Sequence, residues 1–162
     1  MDEFFAAIEQ VRMSAWMREG PYAYFIALIF HAFGMAVFVG GGIVVSLRGL
    51  GVGRVAALAK FRGLLPVMWW GAAMAIVSGL LLLVAYPAKT LTNPLFAVKL
   101  ASLATAAMLV VRLVRGAPAE GAPQQQAATR HRRLAALALV LWLAGVGAGK
   151  LLLHTYTVLQ VS

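Results

Sequence analysis

Apolar residues fall into four long runs separated by short polar and basic stretches. The first run covers residues 22–46, with His31 as its one ionisable group. The second covers 64–86, the third covers 94–111 and carries Lys99, and the fourth covers 134–158 and carries Lys150 and His154. About 20 apolar residues are enough to cross a bilayer as a helix. Strands of a lipid-facing barrel would instead alternate apolar and polar positions over about ten residues, and no segment does so. The pattern therefore predicts an all-α fold, a four-helix transmembrane bundle in a single domain over 1–162. Asn93-Pro94 marks the start of the third helix, and Pro87 follows the end of the second.

Two segments lie outside the spans. In residues 1–19, Phe4, Ile8, Val11 and Ala15 recur at helical spacing, flanked by Phe5 and Trp16. The start is acidic and no apolar core follows, which excludes a signal peptide. The pattern predicts an amphipathic helix in the membrane interface, ending at Gly20-Pro21. Residues 112–133 read as a cytoplasmic linker, flexible over GAPAEGAPQQQAAT (116–129) by composition.

Composition narrows the functional classes. Hydrophobic residues make up 62% of the chain and charged residues 12%, against roughly 45–50% and about 25% in soluble domains. A small globule could not bury that much apolar surface, so a soluble enzyme, a disordered tail and a secreted disulfide scaffold are excluded. The net charge of +9 does not signal nucleic acid, because nine of the 14 Lys and Arg sit in Arg48–Arg62 and Arg112–Arg133, between apolar runs. That is a topology signal: it places both loops in the cytoplasm and both termini outside. Tyr22, Tyr24, Tyr86 and Tyr156 then fall toward the outer interface, where aromatic belts form. The absence of cysteine excludes disulfides, thiolate metal sites, iron–sulfur clusters and covalent c-type haem.

Several motifs are decoys. Gly145–Lys150 reads GVGAGK but lacks the spacing and the Ser or Thr of a phosphate-binding loop. Its glycines suit close helix packing instead. Gly49-x-Gly51-x-Gly53 is a loop after the first span, Trp69-Trp70 an interfacial anchor, and His131 a solvated residue beside arginines.

The candidate chemistry rests on His31, Lys99, Lys150 and His154. Counted from the basic loops at about 1.5 Å per residue, they lie roughly 20–31 Å up, in one layer of the outer third. No Asp or Glu occurs between Glu19 and Glu120, and none follows. The two lysines therefore snorkel to headgroups, pair with Asp2, Glu3, Glu9 or Glu19, or hold an anionic ligand. The histidines are either packed and hydrogen-bonded or act as ligands. Two histidines at similar depth on different helices, with Gly34 and Gly147 beside them, suit axial ligation of haem b, and the lysines suit its propionates. The expected function is a small b-type haem protein passing electrons near the outer face, with iron held by His31 and His154. Two alternatives stay open: an accessory subunit packed against a larger membrane complex or another copy, and a carrier for a small anion or lipid. No nucleophile–base pair in the spans supports catalysis on an organic substrate.

Residues 14–51, SAWMREGPYAYFIALIFHAFGMAVFVGGGIVVSLRGLG, and 93–104, NPLFAVKLASLA, resemble an uncharacterised family of bacterial four-helix membrane proteins. The likeness rests on His31–Ala36, Ser46–Arg48 and Asn93-Pro94 with Lys99, and this chain has Ser46 where that pattern has an aspartate. It implies the fold and a bacterial inner-membrane location, with no activity attached. A looser architectural likeness extends to b-type membrane cytochromes and copper-resistance membrane proteins.

Overall fold

The computed structural model describes residues 12–20, 22–53, 58–117 and 125–158, the side chains of 88–89, 125–128 and 153–158 excepted. Its elements are α1 (Arg12–Glu19), α2 (Ala23–Leu50), a 3-10 turn (Leu58–Gly63), α3 (Leu64–Ala85), α4 (Pro87–Leu91), α5 (Pro94–Arg115) and α6 (Gln125–Val158). α2, α3, α5 and α6 supply four helices long and apolar enough to cross a membrane, and the chain is a multi-pass membrane protein. Most of each span faces outward: Phe30, Phe33, Trp70 and Ile76 are all more than half exposed. Lipid, not water, is the solvent that tolerates such a surface.

Local signals set the helix ends. Asn93 caps α5, its Oδ1 accepting from Leu95 N–H at 3.0 Å, with Pro94 in the first turn where no N–H is needed. Gly51 ends α2 in the left-handed region (φ 99°), and the Gly51 and Val52 N–H groups close on the carbonyls of Arg48 and Leu47. Helix extends further into the basic segment than the linker reading allowed. α5 runs to Arg115 and α6 starts at Gln125, leaving 116–124 between them. Gln, Ala and Arg are good helix formers, so only the Gly- and Pro-containing stretch breaks the chain. The part of that stretch from 118 to 124 lies outside the described residues.

Small residues determine which helices approach. α2 packs on α3 along one side and on α6 along the other, and α5 packs on α6. At the α2–α3 crossing, a methyl on Gly34 would sit 2.7 Å from Ala75 N and 2.8 Å from Gly71 O. At the α2–α6 crossing, one on Gly42 would overlap the Trp142 ring. Trp142 is fully buried there, with Phe38 edge-on at 5.0 Å. Buried Ser46, one turn from Gly42, donates to the Gly42 carbonyl at 2.8 Å, so its hydroxyl is satisfied within its own helix.

The two ends of the bundle differ. At the tyrosine-rich end, α1 folds against α2 and α3, with Met17 buried beside Ala27 and Ala85. Arg18 spans Ser14 Oγ (2.8 Å) and the Ala85 carbonyl (3.2 Å), putting a cation on the last carbonyl of α3. The interfacial-helix expectation thus meets a helix over Arg12–Glu19, while residues 1–11 lie outside the described set. At the arginine-rich end, Arg132 donates to the last carbonyl of α2, Leu50, at 3.4 Å. The helices α3 and α5 do not close on one another. The wedge between them, floored by α2, is the feature that places the site.

Candidate functional site

A groove of about 800 Å³ runs between α3 and α5. Its lining is apolar except near its two ends. His31 and Lys99 lie toward the end where α2 begins, and Arg112 and Arg115 lie toward the opposite end.

His31 is half-buried, with Nδ1 2.9 Å from the carbonyl oxygen of Ala75 on α3. A carbonyl only accepts, so Nδ1 carries the proton and donates; in the neutral ring, Nε2 keeps its lone pair. Ser78 Oγ lies 3.4 Å from the same nitrogen, while its own proton goes to the Met74 carbonyl at 2.6 Å. The ring rests on Gly79, where an added methyl would come within 3.1 Å of Cε1 and 3.2 Å of Nδ1. Ala75, Ser78 and Gly79 share one face of α3 because positions three and four apart are helix neighbours. Together they hold the imidazole in one orientation.

Lys99 is half-buried on α5. Its stem lies along α6 at Gly149, where a methyl would touch Cδ, Cε and Nζ at 3.5–3.6 Å. Lys99 and His31 line the same groove. Glu19 is the one carboxylate among the described side chains, and Lys99 makes no hydrogen bond or ion pair among the described residues. The two groups thus form a small polar station inside an apolar trough.

The other expected site residues part company here. Lys150 is exposed and does not line the groove. Its neighbour in sequence, Gly149, takes the inward place beside Lys99, because α6 turns about 100° per residue. Gly34 leaves no room for a flat ligand, because the α3 backbone occupies the space that its missing side chain creates. Gly147 has open space around it and lies outside the groove lining. His154 belongs to the last turns of α6, and its side chain lies outside the described residues. Among the described residues, no cluster of three or more His, Cys, Asp or Glu is arranged to hold a metal.

Sequence reasoning missed Ala75, Gly79 and Gly149. Ala75 acts through its backbone carbonyl, which leaves no trace in residue type. The signal for Gly79 was present: Ser78-Gly79 is a small pair directly before the bulky run Leu80–Val84. No family model matches the chain, and neither a curated protein nor a solved structure matches it.

Proposed function

We propose that the chain is a membrane-embedded binding protein whose groove takes an apolar ligand bearing an anionic group. One observation carries this reading: the Lys99 ammonium has no acidic partner among the described residues and shares an apolar groove with His31. A charge in hydrocarbon costs at least about 2.5–3.5 kcal/mol, so an anion delivered by a ligand has a large term to offset. Lys99 would donate charge-assisted hydrogen bonds to that anion. His31 Nε2 would accept a hydroxyl proton or take a metal centre.

A second reading is narrower, and the Ala75 hydrogen bond favours it. Metal-bound histidines almost always donate their other ring N–H to a carbonyl or carboxylate, which fixes the tautomer, and Nδ1 of His31 is so engaged. Haem b would place its iron on Nε2 of His31 and a propionate on Lys99, and when bound it would supply one-electron transfer. No second axial ligand is assigned. For either ligand, the loop charges favour the arginine-rich end in the cytoplasm of a bacterial inner membrane and both termini outside.

The test is purification of the full chain in mild detergent, followed by an oxidised and dithionite-reduced absorption spectrum and mass analysis of the organic extract. A bound acidic, apolar compound other than a membrane phospholipid is expected in wild type and not in Lys99→Met or His31→Leu, with insertion unchanged in both. A Soret band identifies that compound as haem. Wild-type protein carrying no such compound, or variants carrying it undiminished, overturns the reading.

A further inference from the structure

The opposite half of the groove has its own chemistry, independent of His31 and Lys99. Arg112 and Arg115 lie in the last turn of α5, three apart, and both line the groove. Neither guanidinium makes a hydrogen bond or ion pair among the described residues. Arg132, by contrast, is tied to the Leu50 carbonyl. Beyond the two arginines the lining becomes apolar, through Val111, Met108 and Ala104 on α5. On the facing wall, Ala72 leaves width, and Trp69, 53% exposed, stands toward the arginine-rich end.

We propose that this half-groove seats one anionic phospholipid, with its phosphate on Arg112 and Arg115 and an acyl chain running along Met108 and Ala104. Charge complementarity selects the headgroup: two guanidiniums with no partner among the described residues face a trough with no carboxylate in its lining. Depth selects the chain. Half of a hydrocarbon core about 30 Å thick corresponds to about ten helical residues, so a lipid anchored at Arg112 ends near Ser102, short of Lys99. The lipid fills the gap that the α3–α5 pair leaves open.

The experiment uses the full chain equilibrated with mixed micelles containing equal phosphatidylglycerol and phosphatidylcholine, with retained lipid read by native mass spectrometry. Wild type is expected to retain phosphatidylglycerol preferentially. Arg112→Gln with Arg115→Gln should reduce that retention roughly fivefold for each arginine. Arg130→Gln with Arg133→Gln makes the same change in net charge outside the groove and should leave retention at the wild-type level. Ala104→Phe keeps both arginines but obstructs the chain, and retention should fall. Lys99→Met should leave it unchanged, which separates this site from the ligand site above. Equal loss in the two arginine pairs, no loss in Ala104→Phe, or a copy of the protein covering the groove in place of lipid overturns the proposal.

Discussion

His31 donates its Nδ1–H to the carbonyl oxygen of Ala75, 2.9 Å away on the facing helix. In a helix the same oxygen also accepts from the N–H four residues on, which is Gly79. The imidazole reaches that oxygen because Gly79 has no side chain to hold it off. Gly79→Ala would put a methyl 3.1–3.2 Å from the ring and force it to shift by a few tenths of an ångström. Alanine also raises helix propensity by about 1 kcal/mol. The expected outcome is a change in the His31 Nδ1 resonance and weaker ligand retention, with thermal stability preserved. An unchanged resonance counts against the Gly79 seat.

Gly34 and Gly147 should respond oppositely. Gly34→Ala drives a methyl into the α3 backbone at 2.7–2.8 Å, which a rigid helix cannot relieve. A loss of about 1–3 kcal/mol is expected for such overpacking. Gly147→Ala meets nothing within 4 Å and gains helix propensity, so it should be neutral or slightly stabilising. Denaturant titration of both variants in the same detergent compares them directly.

Trp142 supplies the largest single packing element. Its ring is fully buried against Gly42 and Phe38, and its indole N–H has no partner among the described residues. Trp142→Ala should cost about 3–5 kcal/mol. Trp142→Phe should cost far less, because it also removes a buried unsatisfied donor worth about 1–3 kcal/mol. Equal losses in the two variants would show that the N–H is satisfied in the membrane.

Arg18 holds α1 to α3 through Ser14 and the Ala85 carbonyl. Arg18→Ala should speed hydrogen exchange over Arg12–Glu19 and leave α5 and α6 unchanged. Hydrogen bonds made by a charged donor contribute about 1.5–3 kcal/mol each, so the effect should be large enough to resolve. Uniform exchange along the chain, with no difference at α1, rejects this role.

The proposed membrane orientation, with both basic loops in the cytoplasm, rests on loop charge. Alkaline-phosphatase fusions at Ser162 should be active, and fusions near Gly121 inactive. The reverse pattern would move the His31–Lys99 station to the cytoplasmic half.

The number of spanning helices and most of their ends were legible in the sequence, because a bilayer demands runs of a fixed length and Asn-Pro and Gly mark where they stop. Rise per residue brought His31 and Lys99 together as candidates, and both line one groove. Direction was not. Of the two lysines expected in one layer, Lys99 turns inward along Gly149 and Lys150 is exposed, while Gly147 lies beside open space. Each spanning stretch is apolar nearly all round, so no polar face reports which side meets a neighbour. That choice belongs to small residues at crossings, where Gly34 meets Ala75 and Gly42 meets Trp142. Their meaning depends on what stands opposite, and only the tertiary structure supplies the opposite wall.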